Sequence, residues 1–258
     1  MNGRLIKRLC LVTVVGALCL GMWYGYRFQA NSGVLWNIVS RQCVPHLQMN
    51  HDPRPCYQVN IHQGYALLKD KVGIAQYLLI PTAKVSGIES PLLLQAQTPN
   101  YFWLAWSALP LLSQTLAKPV PNTLLSLAIN AKWGRSQNQL HIHMSCLRAD
   151  IAEQLAEKRA TLTDQWQQYS LLHHKYWIRT LTLEQLHSES LFQRIAVELP
   201  DITIGKGEAG VAVSMLADGR VVVMVLKTNW LKGVLGSAEE LQDHQCRAVL
   251  GTTAAKLR

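Results

Sequence analysis

Residues 140–147 read Leu-His-Ile-His-Met-Ser-Cys-Leu, and this octet constrains the chain more than any other stretch. Apolar and polar side chains alternate. Leu140, Ile142, Met144 and Cys146 share one side, and His141, His143 and Ser145 share the other, which is the period of a half-buried β-strand. Successive residues on one face of a strand stand about 7 Å apart. Two imidazoles and a hydroxyl therefore form one polar row. Near neutral pH an imidazole keeps an unprotonated nitrogen that can attack phosphorus. The same pair could bind zinc, but no third ligand lies close in sequence. They could also be satisfied histidines with no chemistry. Just upstream, Gly134, Arg135, Ser136, Gln137 and Asn138 form a polar turn able to wrap backbone N–H groups around an anion. That context favours the catalytic reading.

The chain has 258 residues, enough for one or two domains. Its net charge of +9 suits an anionic partner. The basic residues are scattered, without a Lys/Arg run or aromatic interleaving, so no nucleic-acid partner is expected. Arg4, Lys7 and Arg8 precede residues 9–24, which carry no charge. The run is short for a membrane span, but Trp23, Tyr24 and Tyr26 extend it as an interfacial aromatic belt. No convincing cleavage site follows, so an uncleaved anchor is expected. Positive charge before the run places the bulk of the chain outside the cytoplasm. The expected division is a cytoplasmic stub and anchor over residues 1–30 and a catalytic domain over 31–258.

Of six cysteines, Cys10 and Cys19 lie in the apolar run. Cys43, Cys56, Cys146 and Cys246 lie beyond it, and in an oxidising compartment they predict two disulfides with three pairings open. Cys43 with Cys56 would close a small Pro-rich loop; Cys146 with Cys246 would tie the C-terminal region to the His strand. A zinc site of Cys43, His46, His51 and Cys56 is the rival, at a spacing that matches no common finger.

The pattern predicts a short helix over 34–40, loop over 44–58, and a hairpin of strands 64–69 and 75–81. An aromatic-rich helix over 99–118 must kink or end at Pro110. A strand over 123–131 should pair with the His strand. An amphipathic helix is expected over 149–168 and a less regular region after it, with His173 and His174 at the surface. A second hairpin, 210–215 with 220–226, has the spacing of the first, which suggests a repeated half-unit. Ser237 and Glu240 stand at capping-box spacing for a terminal helix over 237–245.

The octet resembles the histidine-triad motif, His-x-His-x-His-x-x with apolar x, with Asn130 and Gln137 at matching upstream positions. The resemblance implies that His143 attacks a nucleotide phosphorus and forms a covalent nucleotidyl-histidine. Ser145 departs from the motif at the third position, so the group that protonates the leaving group is not supplied there. Over nearly the whole chain the resemblance is closer. Asp52-Pro53-Arg54-Pro55-Cys56, Gly64 to Asp70, Gln76 to Thr82, Asn100 to Trp106 and Asp243-His244-Gln245-Cys246, together with the anchor, look like the bacterial CDP-diacylglycerol pyrophosphatase family. That likeness implies an α+β fold, a histidine-triad-like antiparallel sheet with flanking helices, on a single-pass inner-membrane protein facing the periplasm. It implies hydrolysis of CDP-diacylglycerol to CMP and phosphatidate without metal or cofactor. His143 would be the nucleophile and His141 would orient it. Asn130, Gln137, Asn138 and Ser145 would hydrogen-bond phosphate oxygens, Arg135 would add charge, and Lys69 and Asp70 would stand near the nucleotide. The competing readings are an enzyme of soluble nucleotide diphosphates and a non-catalytic binder of a nucleotide-lipid.

Overall fold

The computed structural model describes residues 32–251. The expected anchor lies outside them. Among the described residues no helix is long and apolar enough to cross a membrane.

Ten strands form one antiparallel sheet: β1 (Gln58–Asn60), β2 (Tyr65–Lys69), β3 (Tyr77–Pro81), β4 (Leu125–Ile129), β5 (Ile142–Leu147), β6 (Gln167–Leu171), β7 (His174–Leu181), β8 (Ala209–Met215), β9 (Val221–Lys227) and β10 (Gln242–Asp243). The spatial order is β1-β2-β3-β5-β4-β8-β9-β7-β6. β10 lies off this path: β3 pairs with β5 through Met144, and β10 takes the same edge at Cys146 and Leu147.

Two half-units are legible in this order, but not as the hairpin spacing suggested. β2 and β3 are followed by helices α1 (Tyr101–Ala108) and α2 (Pro110–Leu116), then by β4 and β5. β6 and β7 are followed by α3 (Leu183–Ser188) and α4 (Leu191–Glu198), then by β8 and β9. The halves meet at β4 and β8 and run outward in mirrored order. The counterpart of β8–β9 is therefore β4–β5, not the first hairpin. Where β5 carries histidines, β9 reads Val-Val-Val-Met-Val-Leu and is buried on both faces.

Helices α1 to α4 pack on one face. Leu79, Leu127, Ile142, Met144, Val213 and Val223 meet Phe102, Trp106, Leu109, Phe192 and Ile195 there in the main core. The opposite face carries two separate apolar clusters. One joins Leu78 and Ile80 to Leu35, Val39 and Val59; the other joins Val222 and Met224 to Ile151 and Leu155 of a helix over Ala149–Lys158. The row His141, His143, Ser145 lies on this second face. All of β5 is buried, so the half-buried expectation is corrected: residues 236–245 fold over the polar side.

Other local expectations change for identifiable reasons. Residues 44–58 are not all loop: a helix covers Val44–Asn50, entered through a π turn at Val39–Cys43 with Pro45 in its first turn, where a missing N–H costs nothing. The helix from 149 stops at Lys158, and Gln167 begins β6, because Thr161 and Thr163 turn the chain. The region after 168 is the regular β6–β7 hairpin. His174 is half-buried and donates to Glu240. The expected helix at 237–245 is a 3-10 turn over Ala238–Leu241 followed by β10. Ser237 makes no cap; its hydroxyl donates to Asn130.

Cys43 is bonded to Cys56 and Cys146 to Cys246. Cys43 and Cys56 are thus not thiolates, which overturns the zinc reading. Cys146 to Cys246 closes a separation of 100 residues. A loop of that length contributes about 4–5 kcal/mol by restricting the unfolded chain. Replacing both Cys146 and Cys246 by serine should lower the free energy of urea unfolding by about 2–5 kcal/mol. An unchanged midpoint would show that this link does not hold the C-terminal segment in place.

Candidate active site

The site forms where β5 runs under the segment that follows β9. His143 stands opposite Leu78 on one side and Ala128 on the other, near the middle of the sheet. Its ring is buried and lies 4.8 Å from His141, centroid to centroid. His141 donates from Nδ1 to the Gln139 carbonyl at 2.7 Å.

Glu239 is the residue that gives the row its polarity. One oxygen, Oε1, is 3.2 Å from His143 Nδ1 and 2.9 Å from His244 Nε2. The other accepts from the Asn130 amide at 2.9 Å. Asn130 also takes the backbone N–H of Glu239 on its own carbonyl at 3.1 Å, so the two residues are locked at two points. His244 Nδ1 lies 3.0 Å from Ser145 Oγ. The hydrogens can be placed without contradiction: Ser145 O–H donates to His244 Nδ1, His244 Nε2–H to Glu239, and His143 Nδ1–H to the same carboxylate oxygen.

Gln76 complicates this order, since its amide nitrogen sits 2.9 Å from His143 Nδ1. As a donor there it would demand the other tautomer. Charge decides: an ionised carboxylate is a stronger partner for a ring N–H than an amide is for a ring nitrogen. The two amide hydrogens of Gln76 have carboxylates of their own, Asp70 and Glu239, both at 3.4 Å. His143 then carries its proton on Nδ1 and its lone pair on Nε2. That Nε2 is buried and, among the described residues, has no hydrogen-bond partner.

Burial is the main force that drives the His143 imidazole down to about 3, and repulsion from His141 and His244 adds to it against the pull of Glu239. Burial likewise holds His141 below its ordinary value. Burial works against the charged form of Glu239, but hydrogen bonding from His244, the neighbourhood of His143 and the Asn130 amide bring it to about 2. At neutral pH the site is therefore a carboxylate beside the neutral rings of His141 and His143.

Close backbone approaches make this possible. A Cβ on Gly210 would stand 2.2 Å from the Gly236 carbonyl oxygen, and one on Gly73, at φ +74°, would stand 2.6 Å from the Cβ of His244. Only glycine lets the segments that carry Glu239 and His244 lie this near the sheet.

The remaining predicted residues divide. Asn130, His141, His143 and Ser145 converge through Glu239 and His244. Asp70 reaches the group through Gln76, while its second oxygen accepts from Val72 N–H. Lys69 donates to the Asp70 and Gly73 carbonyls and is spent on its own turn. Arg135 is buried and forms a two-point ion pair with Glu89 at 2.7 and 2.5 Å, so its charge is matched. Gln137 accepts from Leu35 N–H and Asn138 donates its N–H to Ser32. These two hold the start of the described chain rather than line the histidine row. Gln76, Glu239 and His244 were not read as site residues. One signal pointed to His244: if Cys246 bonds Cys146, a residue two positions earlier falls beside Ser145.

Both large shifts couple protonation to stability in one direction. The unfolded chain binds a proton on His143 near pH 6.5 that the folded ring refuses until about 3. Glu239 does the same between 4.5 and about 2. The unfolded state binds more protons, so stability falls as pH falls, through the His143 window first. Acidification from pH 6.5 to 4.5 should cost about 2 kcal/mol through His143. Urea unfolding at the two pH values should show this loss, and His143→Gln should reduce it; an equal loss in the variant would place the titrating group elsewhere.

Known proteins are similar to this chain in sequence. The family model for CDP-diacylglycerol pyrophosphatase matches residues 30–250. A CDP-diacylglycerol pyrophosphatase from Yersinia pestis is 42% identical over 245 residues, covering 94% of this chain and 95% of the relative. Among solved structures, a DUF4931 family protein from Bacillus cereus superposes with a TM-score of 0.45 and 8% identity, covering 79% of this chain and 93% of that one. That structural likeness is too loose to inform function, whereas the sequence match runs across both sheet halves and the C-terminal segment. The chain belongs to the CDP-diacylglycerol pyrophosphatase family.

Proposed function

We propose that His143 is the covalent nucleophile of a CDP-diacylglycerol pyrophosphatase. The activity rests on family membership: the protein hydrolyses CDP-diacylglycerol. The route rests on one observation, a buried imidazole whose Nδ1 faces an ionised carboxylate and whose Nε2 has no partner among the described residues.

Nε2 of His143 forms a bond to the cytidine-side phosphorus. The bond from that phosphorus to the bridging oxygen breaks, and phosphatidate leaves with the electron pair. The ring becomes positive in the adduct, and Glu239 matches that charge through Nδ1–H. Water then attacks the same phosphorus, the N–P bond breaks, its electrons return to His143, and CMP leaves while the proton released passes to solvent. His141 stands beside the reacting ring and presents a second neutral imidazole to the phosphate. Asn130 holds Glu239, and the pair Ser145–His244 occupies the place of a third histidine. This arrangement supports a histidine-triad-like reading in which the third ring comes from a distant segment. Arg135, Gln137, Asn138, Lys69 and Asp70 are assigned to the surroundings of the nucleotide, with the first three acting by shaping the loop.

Membrane attachment belongs to the same proposal. Residues 9–24 form the anchor, residues 1–30 form its unit, and 31–258 form the catalytic domain in the periplasm. Two disulfides support an oxidising compartment, and a lipid substrate gives the anchor a purpose.

Incubation with CDP-diacylglycerol labelled in its CMP part, followed by an alkaline quench, should leave label on the protein. His143→Ala should lose the label and lower kcat by about 10⁴-fold. His141→Ala and Glu239→Gln should retain measurable turnover, down about 10²-fold. Turnover without labelled protein, or equal residual activity in the His143 and His141 variants, would sink the assignment.

A further inference from the structure

Two loops at the rim of the site expose large apolar side chains side by side. Trp133 follows Asn130, and Trp230, Leu231 and Leu235 precede Glu239; all four are exposed, Leu231 completely. The Trp133 and Trp230 rings meet edge to face at 5.1 Å. The loops are joined by the Ala131 N–H, which donates to the Gly236 carbonyl at 2.9 Å, and by the close approach of Gly134 to the Leu235 carbonyl. Neither tryptophan fills a core or covers a ligand within the chain. Exposed aromatic and aliphatic side chains gathered at one place mark a contact surface.

The surroundings of the patch say what it contacts. Lys132, Lys206 and Lys232 are all exposed around it. Lys132 lies with its ammonium 5.4 Å from the Trp133 ring centre, and its N–H donates to Gly207, next to Lys206. Exposed tryptophan and leucine with exposed lysines beside them are the composition of a surface that sits in the headgroup layer of an anionic bilayer. Position agrees. Asn138, on the loop that carries Trp133, donates its N–H to the Ser32 carbonyl. The uncharged run that ends at Tyr24 is therefore joined to this side of the molecule by at most about 28 Å of extended chain.

We propose that Trp133, Trp230 and Leu231, with Lys132 and Lys232, form a second membrane contact that seats the rim of the site in the headgroup layer of an anionic phospholipid bilayer. The inference rests on the lipid-hydrolase reading. The patch sets the height and tilt of the site, so the pyrophosphate of a lipid reaches His143 without being lifted out of the bilayer. Asn130 and Glu239 hang from the two loops that carry the patch, so seating the loops also places the site.

The full-length protein, reconstituted in vesicles of phosphatidylcholine and phosphatidylglycerol, would be assayed on long-chain CDP-diacylglycerol in the bilayer and on a water-soluble short-chain analogue. The variant Trp133→Ser/Trp230→Ser/Leu231→Ser should keep its rate on the soluble analogue and lose roughly tenfold in kcat/KM on the bilayer substrate. Lys132→Glu/Lys232→Glu should show the same split, wider in vesicles richer in phosphatidylglycerol. Brominated lipids should quench wild-type tryptophan fluorescence more than that of Trp133→Phe/Trp230→Phe, a milder variant that guards against misfolding. Equal losses on both substrates would make the patch part of the fold or of an acyl-chain subsite and overturn the proposal. Unchanged bilayer kinetics with unchanged quenching, the result expected if the patch binds a protein, would overturn it too. Wild-type protein inactive on both substrates would instead refute the lipid-hydrolase reading itself.

Discussion

An ionised carboxylate inside a protein is tolerable only when its oxygens are met by donors, because removing it from water costs far more than one hydrogen bond returns. Glu239 is met by four side chains: His143, His244, Gln76 and Asn130. Much of the surrounding structure serves this cluster. The 3-10 turn over Ala238–Leu241 presents the carboxylate, and β10 pins the turn to the strand that bears His143. Gln242 donates its amide to the His143 carbonyl at 3.2 Å and to the Ser126 carbonyl at 3.1 Å, so the strand beneath is braced as well. The link from Cys146 to Cys246 closes the arrangement from the other face of the sheet.

The sheet explains why such a cluster can exist there. Helices α1 to α4 cover one face. The other is closed at either side by separate apolar clusters and crossed at the middle by the chain on its way out of β9. A polar row would destabilise either apolar cluster. Between them it is sealed by side chains that satisfy most of it, and His143 Nε2 is left buried without a hydrogen-bond partner among the described residues. Desolvation of this kind keeps the imidazoles neutral and gives the carboxylate its leverage over the ring facing it.

Alternation and turn chemistry made the strands of the β2–β3 and β8–β9 hairpins legible, since Val, Leu and Ile runs bounded by Gly or Asp at the turns admit few alternatives. The break at Pro110 was legible for the same local reason. What escaped was set by distance. Residues 237–245 carry a helix-like spacing, but pairing with β5 competes with the helix and wins, because it satisfies Glu239 and brings Cys246 to Cys146. β6 was hidden by Gln167, Gln168 and Ser170, whose polarity suits an edge strand open to water and looks like loop. In the site, the histidine octet spoke for itself. Arg135 looked like a phosphate ligand because its partner, Glu89, is 46 residues away. Glu239 and His244 fall within the expected terminal helix, and nothing local says that they face the histidine row.

His143 and the groups that surround it are made at different times. Ser145 and His244, now in contact, are separated by 99 residues. A chain leaving the ribosome, or entering another compartment, presents the octet long before its carboxylate partner exists. Until then His143 is an ordinary imidazole on an unfinished sheet, exposed to water and free to pick up a proton. Competence arrives with the last stretch of polypeptide and depends on its being intact. A chain cut short after β9 would keep both histidines of the octet but lose Glu239, His244 and the cysteine that ties this segment to β5.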